Sequence, residues 1–226
     1  MSVTGNYTGF AVAVVGTNGT GKTFYMDKMI QGYERPVLAL IDDDGERYFH
    51  NWQEIQKEDI KKVWKGRFKI YVNGSKKEKD EIFKEINENF AQNPKTGGCI
   101  FIDDAMTILD KRPEAAAQIF KRRRNKRNDI ILNVHGFSEF PVMLVKNLTN
   151  IIVCRSMDST KALEARINAE QARQLKACIS IVNRACKRNP YFKLDFNVLE
   201  PMDFVSMLED ANFMREIDNI PIVKKK

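Results

Sequence analysis

Short apolar runs alternate with longer amphipathic stretches along this 226-residue chain. Phe10-Ala11-Val12-Ala13-Val14-Val15 is apolar throughout, as a strand buried on both faces of a parallel sheet must be. Val37–Ile41, Cys99–Ile102 and Ile151–Cys154 repeat that pattern, and Ile130–Val134 does so except at Asn133. Between them the spacing turns helical. Residues 24–33 offer Phe24, Met26 and Met29/Ile30, and residues 76–90 put Ile82, Phe83, Ile86 and Phe90 on one face. Further helices are expected over 113–120, with Pro113 in the first turn, over 139–146, over 160–187 as one long basic helix, and over 200–216. Residues 51–65 read as a weakly patterned helix, 68–72 as an edge strand by alternation, and 192–196 as a short strand. Residues 73–75 and 93–98 read as turns. Strands alternating with helices predict an α/β chain built on a mainly parallel sheet.

The first chemistry lies between the first strand and the first helix. Gly16-Thr17-Asn18-Gly19-Thr20-Gly21-Lys22-Thr23 fits G-x-x-x-x-G-K-[ST], the phosphate-binding P-loop. Glycines let backbone N–H groups turn inward around phosphate oxygens, and the helix N-terminus adds its positive end. Lys22 is expected to reach the β/γ-phosphates and Thr23 to hold Mg²⁺. The second chemistry ends the third apolar run. Cys99-Ile100-Phe101-Ile102-Asp103-Asp104 is a Walker B pattern, in which Asp103 holds Mg²⁺ through water. Asp104 stands where a glutamate commonly orients the attacking water and is one methylene shorter. Read alone, this pair also fits a plain strand-to-loop turn, and Asp42-Asp43-Asp44-Gly45-Glu46 a solvated turn around Gly45. The expected fold is a P-loop NTPase three-layer sandwich of the additional-strand type. There the strand ending in Asn133 and His135 brings a polar end to the γ-phosphate. No N-K-x-D stands where a guanine-reading loop would be.

Composition adds bounds. The chain is 43% hydrophobic and 30% charged, and its length suits one domain with a sizeable core. No apolar run approaches the roughly 18 residues of a membrane span, and residues 1–9 are too polar for a leader. Cys99, Cys154, Cys178 and Cys186 have no C-x-x-C spacing, which predicts reduced thiols in a reducing cytoplasm. A net charge of +7 permits a polyanionic partner without requiring one. Six of the seven residues 121–127 are Lys or Arg. Most read as solvated charge or phosphate-backbone contacts. A helix after Walker B is expected to return to the opposite edge of the sheet, away from its own nucleotide, so Arg124 or Arg127 is a candidate to act on a neighbouring subunit's nucleotide.

Three further stretches resemble the FtsK–HerA superfamily of DNA-pumping ring ATPases. Ile41-Asp42-Asp43-Asp44-Gly45-Glu46 is similar to its hDxxGE segment. Arg124 followed by Ile130–His135 resembles its arginine finger and sensor strand, with His135 at a position usually glutamine. Val145–Val153 with Asp158-Ser159 resembles its hKxNhxxxhxf…DS stretch. The likeness covers about residues 10–165, leaving a C-terminal helical extension over about 160–226. It implies an ATP-hydrolysing, Mg²⁺-dependent translocase of double-stranded DNA, assembled as a ring expected to be a hexamer. In size the chain resembles the genome-packaging ATPases of membrane-containing icosahedral viruses. That implies action in the host cytoplasm and at the virion's packaging vertex, with capsid or viral membrane proteins as partners. The basic helix and Lys224–Lys226 are the expected DNA contacts. Other readings are a filamentous-phage-type assembly ATPase, a monomeric nucleotide kinase and a non-hydrolysing NTP switch.

Overall fold

The computed structural model describes residues 9–31, 33–42, 46–91, 97–109, 114–140 and 142–224. In chain order its strands are β1 (Ala11–Val15), β2 (Val37–Ile41), β3 (Gln53–Glu54), β4 (Arg67–Tyr71), β5 (Cys99–Ile102), β6 (Asp129–Val134), β7 (Asn150–Val153) and β8 (Leu194–Asn197). Its helices are α1 (Lys22–Ile30), α2 (Glu46–Phe49), α3 (Lys76–Asn89), α4 (Ala105–Leu109), α5 (Glu114–Lys126), α6 (Lys161–Glu164), α7 (Ala169–Ala185), α8 (Phe204–Glu209) and α9 (Ala211–Asp218). The strands form one sheet in the order β3-β4-β2-β5-β6-β1-β7-β8. It is mainly parallel and flanked by helices, the P-loop NTPase fold. Contacts divide the chain into two compact units, Met1–Ala11 with Met26–Asn133 and Val12–Tyr25 with Val134–Lys226.

In the first unit β3, β4, β2, β5 and β6 pair in parallel. Leu40 lies opposite Ile102, and Ile102 opposite Leu132, so the C-terminal ends of these strands are level. Leu38, Leu40, Ile100, Phe101, Ile130 and Ile131 are fully buried. Helices on both faces of a parallel sheet demand this, and it is why the strands read as unbroken apolar runs. Ser75 caps α3: its hydroxyl accepts from Glu78 N–H while Glu78 accepts from Ser75 N–H. Phe83 and Ile86 bury the inner face of that helix.

In the second unit Val12–Val15 pair in parallel with Asn150–Val153, and β7 pairs antiparallel with β8. Helix α7 buries Leu175, Cys178, Ile181 and Val182, and Phe204, Met214 and Ile217 of α8 and α9 are buried too.

Five expectations are corrected. Residues 51–65 hold β3 and a 3-10 turn at Lys57–Lys62. The buried residues Trp52, Ile55, Ile60 and Val63 do fall at helical spacing, but the pairing of Gln53 and Glu54 with β4 overrides it. Strand β4 is not an edge, because β3 pairs outside it. Its misleading polar position, Lys69, is buried with Nζ donating to the Tyr71 hydroxyl at 3.4 Å. Residues 137–147 make two 3-10 turns instead of an α-helix. The stretch 160–187 is broken at Asn168, whose extended backbone starts a capping box with Gln171. The stretch 200–216 is broken at Asp210, whose carboxylate accepts from the N–H groups of Asn212 and Phe213. The expectations on Asp43–Gly45, residues 93–96, Pro113 and Lys225–Lys226 lie outside the described residues.

Candidate nucleotide site

Residues 16–23 form the turn from β1 into α1, in the second unit. Gly19 and Gly21 have φ of 74° and 75°, where a side chain is strained. Gly16 is required by proximity: a Cβ there would lie 2.6 Å from the Cys154 Cβ and 2.9 Å from the Arg155 carbonyl oxygen. The loop is fastened on two sides. Gly16 N–H donates to Val134 O at 3.2 Å, and Thr17 N–H donates to Arg155 O at 2.9 Å. The first contact sets His135, the residue after Val134, at the start of the loop. Thr20 Oγ1 donates to Thr17 O at 2.8 Å. Lys22 is buried, its Nζ donating to Gly16 O at 2.6 Å and Thr17 O at 3.1 Å. Its ammonium is thereby folded across the mouth of the loop. Behind the loop, burial pushes the Cys154 thiol up to about 11, with Lys193 and Lys22 opposing that rise. All four cysteines are buried and free.

Close approach also explains Gly136. A Cβ there would lie 1.7 Å from the Asp158 carboxylate. The exit of β6 and the Asp158-Ser159 stretch, read as separate signals in the sequence, therefore meet in this unit.

The carboxylates belong to the first unit. Asp103 leaves β5 at its C-terminal end, with its N–H donating to Leu40 O at 3.0 Å. It is 8% exposed, and Asn133 Nδ2 at the end of β6 donates to its Oδ1 at 2.6 Å. Asn133 Oδ1 is buried without a hydrogen-bond partner. A partly desolvated carboxylate beside an unsatisfied amide oxygen is a hard-oxygen set that suits Mg²⁺, which keeps several waters of its own. Among the described residues no three His, Cys, Asp or Glu side chains cluster as a dedicated metal cage.

Asp104 adopts a left-handed backbone, φ 48°. Such a conformation costs about 1–3 kcal/mol and gathers at functional sites. Its carboxylate caps α4, accepting from Thr107 Oγ1 at 2.8 Å and Thr107 N–H at 3.4 Å.

The basic run divides into two kinds. Arg123 is buried, with Nη1 donating to Phe120 O, and Lys126 donates to the Asn87 and Glu88 carbonyls. Arg124 and Arg127 are exposed. They stand before β6, whose six residues put about 20 Å between them and Asn133 at the other end. The structure does not bring them to Asp103 or Asp104. Several cations of the expected DNA-binding helix are ion-paired: Arg173 with Glu170, Lys176 with Glu164, Arg184 with Asp218.

Sequence reasoning missed Thr107 as partner of Asp104, and Arg155 at the loop's flank. An aspartate just before a helix start was a legible capping signal. No family model matches the chain, and no curated protein matches it. Solved structures do. The genome-packaging NTPase B204 of Sulfolobus turreted icosahedral virus 2, in complex with AMP, aligns with a TM-score of 0.64 at 15% identity. That match covers 86% of this chain and 95% of the other. In complex with ATP-gammaS the same NTPase aligns with a TM-score of 0.63 at 16% identity, covering 86% and 95%. B204, the DNA-packaging ATPase from Sulfolobus turreted icosahedral virus, aligns at 0.63 and 14% identity, covering 87% and 96%. The chain thus shares the fold of viral genome-packaging ATPases. No helix among the described residues is long and apolar enough to cross a membrane.

Proposed function

We propose that the chain is an ATPase that drives double-stranded DNA into a viral capsid, working as a ring, expected to be a hexamer, in the host cytoplasm and at the virion's packaging vertex. The observation that carries the ATPase reading is the loop itself: two left-handed glycines, Gly16 pressed against β7's exit, and Lys22 folded across the mouth. Residues 16–21 offer N–H groups to phosphate oxygens, and Lys22 exchanges the Gly16 and Thr17 carbonyls for the β/γ-phosphates. By their motif roles the Thr23 hydroxyl and the Asp103 carboxylate would each serve as a ligand of Mg²⁺, which would supply neutralisation of phosphate charge. Asn133 keeps the Asp103 carboxylate aimed. Asp104 accepts a hydrogen bond from the attacking water once it releases Thr107. His135, adjacent to the residue that fastens Gly16, responds to the γ-phosphate. Arg124, or failing it Arg127, completes a neighbour's site, because the Asp103–Asn133 pair of its own chain lies at the other end of β6. The B204 likeness and the shared motif order support packaging as the task.

One observation favours a second reading. Asp104 is already engaged by Thr107, which suits a slow NTP-binding switch. The deciding experiment measures ATP turnover and assembly mass with and without duplex DNA. The motor reading expects a multimer whose turnover rises with DNA of any sequence and whose DNA affinity falls steeply with salt. A monomer with DNA-independent turnover overturns it.

A further inference from the structure

The loop accounts for a triphosphate, and something else must account for the base. If residues 16–23 hold a nucleotide's phosphates, the reading on which this inference rests, the order of binding is fixed. The loop's N–H groups cradle the α- and β-phosphates while Lys22 reaches the β- and γ-phosphates, which leaves the ribose on the α-phosphate side. Ribose and base then leave past the first turn of α1.

That turn is lined by aromatics. Gly21, Phe24 and Tyr25 are spaced i, i+3 and i+4, so they share one face. Phe24 is 62% exposed, although it is a large apolar side chain. The turn joining α7 to β8 lies over the same face. A Cβ at Gly21 would lie 3.1 Å from Tyr191 Cδ1, and Lys193 Nζ sits 4.7 Å from the centre of the Tyr25 ring. The turn is built to hold the Tyr191 ring in place. Tyr191 N–H donates to Asn189 Oδ1 at 3.0 Å, Phe192 N–H to Asn189 O at 3.0 Å, and Lys193 Nζ to Tyr191 O at 2.7 Å. Behind it the buried Cys186 thiol approaches the Phe192 carbonyl at 3.5 Å.

We propose that Tyr191 and Phe24 form the nucleobase platform of this site, taking the base by stacking as it leaves the P-loop. A half-buried ring against a loop glycine and an exposed ring one turn further along the same helix face offer π-surface where the base emerges. Stacking holds any base, more firmly the larger its ring system, so purine nucleotides are the preferred class. The absence of a side chain at Gly21 gains a second reason: it lets the Tyr191 ring reach the loop.

The test compares ATP with inorganic tripolyphosphate, each in Mg²⁺, by titration calorimetry on the full chain. Tyr191→Leu keeps apolar bulk against Gly21 and removes the ring; Tyr191→Phe keeps the ring. The expected result is a roughly 10- to 100-fold loss of ATP affinity for Tyr191→Leu, the size of one base–aromatic stack. Its tripolyphosphate affinity and melting temperature stay as in the wild type, and Tyr191→Phe binds ATP normally. Phe24→Ala, on an exposed helix position, gives a smaller loss of the same kind. Equal ATP affinity in Tyr191→Leu and wild type overturns the platform. So does a parallel loss of tripolyphosphate binding, which assigns Tyr191 to shaping the loop. A wild type that binds neither ligand instead overturns the P-loop reading beneath it.

Discussion

Two aspartates in the first unit lie on neighbouring strands and at opposite ends of them. Asp103 follows β5 at its C-terminal end; Asp129 begins β6 at its N-terminal end. Both are buried. Their surroundings differ. Asp129 accepts from the Tyr33 hydroxyl at 2.6 Å, from Arg35 Nη2 at 2.5 Å and from Phe10 N–H at 3.0 Å. Arg35 also donates to Arg127 O and lies over the Tyr33 ring, and burial raises the Tyr33 hydroxyl above its ordinary range, keeping it a donor. That is a network closed by protein groups, and a closed network specifies structure. Around Asp103, Asn133 supplies a donor while its own oxygen stays unsatisfied. An unsatisfied buried polar atom costs about 1–3 kcal/mol, a cost that a ligand with donors or a metal's water can relieve. On the proposed function, the unsatisfied Asn133 oxygen marks the Asp103 neighbourhood as the one that takes a ligand, and the closed network makes Asp129 architectural.

The strongest way to break this contrast is at the open end. Asp103→Ala should lower ATP turnover by about 10³-fold or more, as loss of a charge-positioning group does, while the melting temperature barely moves. Steady-state ATPase assays beside thermal melts check both halves. Arg124→Ala sharpens it from the other end. Exposed, it should leave stability untouched yet cost about 10³-fold in turnover, because an arginine finger stabilises charge that develops in the transition state. Mixing it with Lys22→Ala should restore part of the turnover, since some interfaces then join an intact loop to an intact arginine. No recovery in assemblies shown to be mixed would remove Arg124 from that role.

At the closed end the effect is on folding. Asp129→Ala leaves the Arg35 charge and the Tyr33 hydroxyl without their buried acceptor; Arg35 stays partly in water, so the cost falls below the roughly 3–5 kcal/mol of a fully buried pair. Urea titration should show it as a lowered midpoint with an unchanged slope. Smaller still, Thr107→Ala removes the cap partner of Asp104 and should cost about 1 kcal/mol. If Asp104 must leave Thr107 to orient water, turnover in that variant is maintained or rises; a drop as large as that of Asp104→Asn would give Thr107 a direct part in the reaction.

Much of the contrast was legible beforehand, and the missing part has a physical cause. The five apolar runs forecast β1, β2, β5, β6 and β7 because strands in a covered parallel sheet have no polar face to show. The Gly16–Thr23 and Asp103 motifs are local in sequence, so spacing alone placed them. Asp129 stood unremarked because Tyr33, Arg35 and Phe10 lie 96, 94 and 119 residues away. Tyr191 escaped for the same reason, since only the fold brings it to Gly21. The breaks at Asn168 and Asp210 were different: their capping signals were present, and an apolar period running through them masked a change of helix.

One thermal-shift experiment tests the central claim, with Asp103→Asn and Asp129→Asn melted in parallel, each with and without MgATP. A bound nucleotide raises stability by an amount set by its affinity. The expected result is crossed. Asp103→Asn melts as the wild type does without ligand and loses most of the MgATP-dependent rise; Asp129→Asn melts several degrees lower and keeps that rise. An Asp129→Asn protein that melts normally but no longer responds to MgATP, beside an Asp103→Asn protein that still does, would contradict the assignment.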